Sequence, residues 1–150
     1  MTVVVWDGST LATDKAATDG ASHWHTDKAW YHVAEEGKVV LSGTGPLHSI
    51  LSMKEWFIDG AKRDAFPTLQ TTHPCHFVVV NYAGLYRYED HPLPISHGRH
   101  QCAFGEGKDF AYGALAMGAT AAQAVEIANQ FSTHCGLGVD VFMLGQCPPT

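Results

Sequence analysis

The chain has 150 residues, of which 45% are hydrophobic and 16% charged. This length and balance predict one folded domain over residues 1–150 and exclude a disordered chain. The formal net charge is −6 at pH 7, from nine Lys and Arg and 15 Asp and Glu residues. Because phosphate binding needs clustered Lys and Arg, this acidic balance argues against a nucleic acid or an anionic membrane as a partner.

Targeting signals and cysteine spacing indicate where the protein works. No basic, apolar leader opens the sequence, and no apolar run reaches the roughly 18 residues of a membrane span. We therefore expect a cytoplasmic protein. The cysteines form no close-spaced pair, which predicts thiols rather than a zinc site or a disulfide framework. They are Cys75, Cys102, Cys135 and Cys147.

Two β-hairpins are predicted in the first third of the chain. A run of valines opens the first, and Asp7-Gly8 is a dipeptide typical of a tight hairpin turn. The second hairpin is predicted to turn at residues 35–37. The four strands are expected at residues 3–5, 9–14, 28–34 and 38–42.

A helix is predicted after the second hairpin. Residues 42–46, with the sequence SGTGP, break the sheet, and Pro46 suits a first helical turn. The helix is expected to run to about Lys62, with an apolar stripe that faces the core. This stripe consists of Leu47, Ile50, Leu51, Trp56 and Phe57.

The rest of the chain is predicted to add another hairpin, two helices and a last strand. A polar connector precedes the hairpin, and residues 90–101 form a loop or a weak strand. Thr120 is a good N-cap for the second helix. The strands are expected at residues 75–81, 85–89, 103–107 and 139–144, the helices at residues 108–117 and 120–135, the connector at residues 66–74 and a tail at residues 146–150.

The order of these elements predicts the fold class. Hairpins separated by grouped helices are typical of an α+β domain with antiparallel sheets, not of alternating βαβ units. Two sheets that face each other, with the helices outside, would also bury the helical stripes. We therefore expect a four-layer αββα sandwich with two antiparallel β-sheets.

Thr2 becomes a candidate nucleophile if Met1 is removed. The residue would then offer a hydroxyl and a free α-amine, and the amine can take the hydroxyl proton directly or through a water. An α-amine has an ordinary pKa of about 7.7–8.0, which is close to working pH. A threonine at the second position is by itself weak support for this chemistry.

Residues 2–18, with the sequence TVVVWDGSTLATDKAAT, resemble the opening of proteasome β-subunits and of the peptidase subunit of the bacterial two-component ATP-dependent protease. The blocks HTDK at residues 25–28, VVLSGTG at residues 39–45 and FGEGKDFAYG at residues 104–113 resemble later parts of that family in the same order. The resemblance implies the N-terminal nucleophile hydrolase fold. It also implies a threonine-type peptidase that needs no metal or organic cofactor.

The resemblance also implies a role for individual residues. Thr2 would be the nucleophile and its amine the general base, while Lys28 would lower the pKa of that amine. Asp14 would pair with Lys28, and the Gly43 N–H would stabilise the oxyanion. Thr18 would bind the substrate main chain as an added strand. The main specificity pocket would be lined by Ala17, Thr26, Trp30, Leu41 and Gly45.

Two positions depart from the family pattern. Glu106 stands where the family usually has a serine near the nucleophile, and Ser132 stands where it has an aspartate. Glu106 could bond the amine, or it could neutralise Lys28 and weaken the site. This difference leaves open a second interpretation, a catalytically inactive protein that keeps the fold for assembly or binding.

The ten histidines suggest a third interpretation, a metal site. His73 and His76 flank Cys75, and His97 and His100 precede Cys102. Zinc needs three or four convergent ligands, and neither group has a standard motif by itself. We therefore expect these histidines to lie in loops and no metal to be bound.

The resemblance finally implies partners. We expect a peptide or an unfolded protein as substrate, and a homo-oligomer of rings or stacked rings. An ATPase that feeds the site is a further partner that the resemblance raises.

Overall fold

The computed structural model describes residues 2–69 and 72–145. These residues form eleven β-strands and three α-helices, with a 3₁₀ turn at Arg63–Ala65. The strands are β1 (Val3–Trp6), β2 (Leu11–Asp14), β3 (Ala16–Thr18), β4 (His23–His25), β5 (Ala29–Ala34), β6 (Gly37–Thr44), β7 (His76–Asn81), β8 (Gly84–Tyr88), β9 (Ile95–Gly98), β10 (Cys102–Gly105) and β11 (Val139–Phe142). The helices are α1 (Leu47–Ile58), α2 (Lys108–Ala116) and α3 (Ala121–Phe131).

Two antiparallel sheets form the middle of the domain. The first has the strand order β10-β1-β2-β11, and the second has the order β5-β6-β7-β8-β9. In the first sheet, Val4 lies opposite Phe104 on one side and Thr13 on the other. In the second sheet, Ser42 pairs with Ala29. All pairs in both sheets are antiparallel, as predicted.

Three apolar layers hold the sheets and helices together. Alternation along β1 sends Val3 and Val5 toward α2 and α3, while Val4 and Trp6 face the second sheet. On the far side of the second sheet, Met53 packs in a core between that sheet and α1. The layers therefore follow the order helix, sheet, sheet, helix, and the predicted four-layer α+β sandwich is confirmed.

Several predicted boundaries are wrong. β6 continues through Thr44, so Gly43 lies in a strand and not in a turn. α1 ends at Ile58, before left-handed backbone at Gly60 and Ala61, with φ of 107° and 53°. α3 ends at Phe131, because the next residue takes extended backbone, with φ −88° and ψ 132°.

The short hairpin of β3 and β4 was not expected from the sequence. It pairs Ala16 with His25 and Thr18 with His23, directly after β2. The residues of β4 are all exposed, so no alternation of buried and exposed side chains marks this strand. The hairpin matters for function because β3 lines the pocket described below.

The predicted core stripe of α1 is only partly buried. Ile50 and Trp56 are buried, but Leu47 is 43% exposed and Leu51 is 39% exposed. Met53, which was not in the stripe, is fully buried. The helix is therefore rotated relative to the expected orientation, which leaves Leu51 exposed and places Leu47 at the pocket described below.

Cys75, Cys102 and Cys135 are buried free thiols. Burial raises the pKa of Cys75 to about 11 and that of Cys102 to about 12, which makes both thiols unreactive near neutral pH. Cys147 and the predicted tail at residues 146–150 lie outside the described residues. Within the described ranges, no helix has the length and apolar character needed to cross a membrane.

Candidate active site

Asp14 is the centre of a buried polar cluster at the end of β2. Its carboxylate is fully buried. Oδ1 accepts hydrogen bonds from the Thr2 hydroxyl at 3.3 Å, the Val3 N–H at 3.1 Å and the Lys28 ammonium at 2.7 Å. Oδ2 accepts the Gly136 N–H at 3.1 Å. Because a buried charge needs a partner and hydrogen bonds, this set of donors fits an ionised carboxylate. We call these five residues the Asp14 cluster.

Lys28 lies directly before β5, and its side chain is 7% exposed. Burial lowers the pKa of its ammonium, while the neighbouring Asp14 carboxylate acts in the opposite direction. The Lys28 carbonyl accepts the Ser42 hydroxyl at 2.6 Å, which ties the residue to β6. A charged Lys28 at this place would lower the pKa of an α-amine at Thr2, because like charges repel.

Thr2 precedes β1 and is held by the turn that follows β10. Its carbonyl accepts the Gly107 N–H at 3.4 Å. Gly105 lies opposite Val3 with φ 96°, and a Cβ on this glycine would stand 2.2 Å from the Thr2 carbonyl oxygen. Only glycine allows β10 to approach Thr2 this closely. The GEG sequence of residues 105–107 therefore positions the candidate nucleophile.

Thr2 and Lys28 line a pocket of about 960 Å³ that opens between the two sheets. Five of the ten other site residues predicted from the sequence line it as well. They are Ala17 and Thr18 from β3, Thr26 after β4, Gly45 after β6 and Glu106 after β10. Thr26 is fixed by its N–H, which donates to the Lys15 carbonyl at 2.8 Å. The fold thus gathers four separate segments around Thr2.

Other predicted residues lie away from the pocket wall within the described chain. Gly43 is in β6, opposite Phe77. Leu41 is fully buried in the core under α1. Trp30 packs against the same core and lies under Lys54, whose ammonium is 4.3 Å from the centre of its ring. Their roles in binding or catalysis stay predictions.

The two residues that depart from the family pattern are in different places. Glu106 lines the pocket, and its carboxylate lies 3.2 Å from Nδ1 of His134. Ser132 caps the end of α3, and its hydroxyl accepts the His134 N–H at 3.2 Å. Both residues therefore contact the loop after α3. The same loop carries Gly136, which donates to Asp14.

Several residues at this site were not predicted from the sequence. Gly136 directly follows the helix predicted at residues 120–135, and its N–H donates to the Asp14 carboxylate. Arg87, His76 and His97 line the far wall of the pocket, next to Phe104. A charged residue inside the otherwise apolar strand at residues 84–88 was the available signal for this wall.

The histidines do not form a metal site in the part of the chain that is described. No group of three or more His, Cys, Asp or Glu side chains is arranged there to hold an ion. His73 and His97 both line the pocket but do not belong to such a group. The metal interpretation therefore has no support from the geometry.

Comparison with known proteins identifies the fold. No protein-family model matches the chain, and the search of curated proteins finds no match. Among solved structures, the eukaryotic HslV from Trypanosoma brucei is 17% identical, with a TM-score of 0.66 over 94% of this chain and 97% of that chain. BPH from Thiobacillus denitrificans is 18% identical, with a TM-score of 0.70 over 99% of this chain and 100% of that chain.

A second structure of the same BPH, in complex with epoxomicin, matches with a TM-score of 0.66 at 18% identity over 99% of this chain and 100% of that chain. In each of these three comparisons, the similarity covers nearly the whole length of both aligned chains. The chain therefore has the proteasome-like fold of the N-terminal nucleophile hydrolases, as the sequence resemblance implied. Its arrangement of strands and helices is similar to that of the HslV structure, and the candidate nucleophile Thr2 directly precedes β1.

Proposed function

We propose that the protein hydrolyses peptide amides with Thr2 as an N-terminal nucleophile, after removal of Met1. The observation that carries the proposal is the Asp14 cluster, which brings the Thr2 hydroxyl and the Lys28 ammonium to the same carboxylate oxygen, at 3.3 and 2.7 Å. Thr2 and Lys28 both line the large pocket. A nucleophile, a cation and a carboxylate in contact are the parts that such chemistry needs.

In the proposed reaction, the Thr2 oxygen attacks the amide carbonyl while the Thr2 α-amine takes the hydroxyl proton. The C–N bond then breaks, the proton passes to the departing amine, and an ester remains on Thr2. Water hydrolyses this ester with help from the same amine. Lys28 keeps the amine neutral and basic near pH 7 because its positive charge disfavours a second one nearby.

The oxyanion needs a hydrogen-bond donor close to Thr2. The family resemblance assigns this role to the Gly43 N–H, near the end of β6. Gly45, two residues later, lines the pocket with φ 114°. Its N–H is a second candidate, because the chain at the end of β6 runs along the pocket wall. Removing one such donor typically costs about 2.7–4 kcal/mol of transition-state stabilisation.

An extended peptide fits the pocket as a substrate. β3 ends at Thr18, and this strand pairs with β4 on one side. A peptide could add to it by main-chain hydrogen bonds, as is common for extended ligands. The side chains of Ala17 and Thr26 are small and leave room for a substrate side chain.

The proposal is tested by the mass of the intact protein and by an electrophilic probe. We expect active protein to lack Met1 and to gain the mass of one epoxomicin molecule, the compound bound in the BPH structure. Thr2→Ala should abolish the adduct and lower peptide hydrolysis by at least about a thousandfold. Thr68→Ala, at an exposed threonine outside the pocket, is the matched control and should keep both. Hydrolysis that survives Thr2→Ala would contradict the mechanism.

A second candidate function is an inactive protein that serves in assembly or binding. The observation that favours it is the contact of the Glu106 carboxylate with His134, in place of the serine usual in the family. The same experiment separates the two functions. Protein that has fully lost Met1 but neither hydrolyses peptides nor reacts with epoxomicin would support the inactive protein.

We also propose that the protein assembles into a homo-oligomer. Large apolar side chains are exposed on the outer helices, as expected for surfaces that pack against another subunit. They include Leu51 on α1, Phe110 on α2 and Phe131 on α3. Light scattering after gel filtration should give a mass several times that of one chain. An ATPase partner would be tested by adding the candidate ATPase to the hydrolysis of an unfolded protein.

A further inference from the structure

A second polar cluster lies between the two sheets, on the far wall of the pocket. It consists of Arg87, His76 and His97 around the ring of Phe104, with Glu89 at its rim, and we call it the Arg87 cluster. His76 and His97 meet the Phe104 ring edge-on, with ring centres 5.9 and 5.6 Å apart. The mechanism proposed above uses none of these residues.

The position of Arg87 is unusual for a charged residue. It lies opposite Val78 in the second sheet, two positions after Leu85 on the same strand. Val78 and Leu85 are both fully buried in the core between the sheets. Because alternate residues of a strand share a face, Arg87 points into the layer between the sheets, where an apolar residue would be expected.

Part of the hydrogen-bonding capacity of this cluster is not used within the described chain. The guanidinium of Arg87 has only a long contact with Glu89, at 3.5 Å, and lies 5.9 Å from the centre of the Phe104 ring. Nε of Arg87 and Nε2 of His97 are inaccessible to solvent and have no hydrogen-bond partner among the described residues. Buried polar groups are nearly always satisfied, so two unmatched nitrogens on one pocket wall indicate a missing acceptor.

The charges of the cluster indicate what kind of acceptor would fit. Glu89 is 41% exposed and divides its contacts between Arg87 and His76, at 3.5 and 3.4 Å. Among the described residues, Nε of Arg87 and Nε2 of His97 thus remain without an acceptor, although Glu89 contacts the outer part of the cluster. A carboxylate matches the planar fork of an arginine, and it would also accept from the neighbouring imidazole of His97.

We propose that the Arg87 cluster is a subsite for a carboxylate of the substrate, so that the protein favours peptides with an acidic side chain or a free C-terminal carboxylate near the cleaved bond. This proposal rests on the proposed peptidase function. The cluster comes from β7 to β10, whereas Ala17, Thr26 and Gly45 come from the segments around β3 to β6. It therefore adds a second recognition element to the same pocket.

The test measures binding to the Thr2→Ala protein, which cannot turn over a substrate. Four tetrapeptides are compared by calorimetry at pH 7. The first pair is Ala-Ala-Glu-Ala and Ala-Ala-Gln-Ala, each with both ends blocked. The second pair is tetra-alanine with a blocked N-terminus and either a free or an amidated C-terminus. We expect the Glu peptide, the free-carboxylate peptide or both to bind at least about tenfold more tightly than the neutral counterpart. The two pairs tell a side-chain carboxylate from a terminal one.

Substitutions assign the preference to the cluster. Arg87→Gln should remove it, and Arg87→Lys should keep only part of it, because lysine keeps the charge but lacks the planar fork. Arg63→Gln, at an exposed arginine outside the pocket, should keep it in full. Thermal melting of each variant checks that it is folded. If Arg87→Gln does not fold, His97→Gln replaces it in the test.

The proposal is overturned if no peptide pair differs in affinity, or if the difference persists in folded Arg87→Gln and His97→Gln proteins. Binding is measured without hydrolysis, so the result is independent of Thr2 chemistry. A carboxylate preference in a protein that never hydrolyses peptides would support the subsite and contradict the peptidase function. Hydrolysis without any carboxylate preference would support the peptidase function and contradict the subsite.

Discussion

The Asp14 cluster and the Arg87 cluster flank the same pocket, but they differ in how far their polar groups are satisfied. Asp14 is fully buried and accepts hydrogen bonds from four groups of the described chain. Arg87 and His97 each keep a buried nitrogen without a partner there. A satisfied network holds its members in one geometry, whereas a buried donor without a partner is costly and has the capacity to bind a ligand acceptor. The first cluster is therefore suited to positioning a nucleophile and the second to binding.

β10 connects the two clusters. Phe104 packs against the imidazoles of the Arg87 cluster, and the next residue, Gly105, lies against the carbonyl of Thr2. A substrate group bound at the Arg87 cluster would thus lie next to β10, the strand that holds the proposed nucleophile Thr2 in place. Changes in the Asp14 cluster should affect stability and chemistry together, and changes in the Arg87 cluster should mainly affect which substrate is bound.

The largest effect is expected from Asp14→Asn. The substitution leaves the buried Lys28 ammonium without its counter-ion, and breaking a buried pair in this way costs about 3–5 kcal/mol. We expect the free energy of unfolding, measured by urea denaturation, to fall by that amount. Hydrolysis and the epoxomicin adduct should be lost with it, because Thr2 loses its hydrogen-bond acceptor.

The matched control is the double variant Asp14→Asn with Lys28→Met. Removing both charges avoids a buried ammonium that has lost the Asp14 carboxylate, so more than half of the lost stability should return. Activity should not return, because neither charged group is present. An Asp14→Asn protein as stable as the unchanged protein would contradict the role given to this ion pair.

A smaller effect is expected from Gly105→Ala. The φ of 96° is unfavourable for alanine, and the new Cβ would be 2.2 Å from the Thr2 carbonyl oxygen. We expect a loss of about 2–4 kcal/mol in the free energy of unfolding. Hydrolysis should fall by about a hundredfold, because a displacement of about 1 Å at a reacting group has this effect.

Gly113→Ala is the control for this substitution. Gly113 lies in α2, and no atom lies within 4 Å of a Cβ built there. Alanine in a helix is more favourable than glycine by about 0.5–1 kcal/mol, so this variant should be slightly more stable and equally active. If Gly105→Ala behaved like Gly113→Ala, the close approach of β10 to Thr2 would have no importance.

More residues of the Asp14 cluster than of the Arg87 cluster could be predicted from the sequence. Thr2, Asp14 and Lys28 were identified through a family resemblance, and the fold brings them together. The hydrogen bond from the Gly136 N–H to the Asp14 carboxylate was not foreseen, because it joins residues 122 positions apart and the path of the loop that carries Gly136 depends on the packing of α3. Local sequence patterns indicate contacts between residues that are close along the chain, and they do not indicate such distant contacts.

The Arg87 cluster was not predicted at all. The sequence LYRYE at residues 85–89 reads as an ordinary strand, in which Arg87 would face solvent. Which face is turned inward is decided by pairing with β7 and by the irregular register between β8 and β9 at Leu85 and Tyr86. A shift of one residue in register would send Arg87 outward, so its inward position follows from tertiary pairing alone.

The smallest effect is expected from the imidazoles of the Arg87 cluster at low pH. Burial, and next the positive charge of Arg87, lower the pKa of both His76 and His97; for His76 the carboxylate of Glu89 acts in the opposite direction. Below a pH of about 6.5, the unfolded chain therefore binds protons that the folded protein does not, and stability falls as the pH decreases. His97→Phe keeps a ring against Phe104 and removes one of these groups.

We therefore expect the loss of unfolding free energy between pH 7 and pH 5 to be smaller in His97→Phe than in the unchanged protein, as measured by urea denaturation at both pH values. His48→Gln, at an exposed histidine on α1, should leave the loss unchanged. A bound carboxylate would favour the protonated imidazole, so the Glu peptide should also reduce the loss in the unchanged protein, and this second effect should be absent in His97→Phe. If the loss of stability at low pH were identical in all three proteins, burial and Arg87 would not hold His97 neutral. The electrostatic argument for an unsatisfied Arg87 cluster would then be wrong.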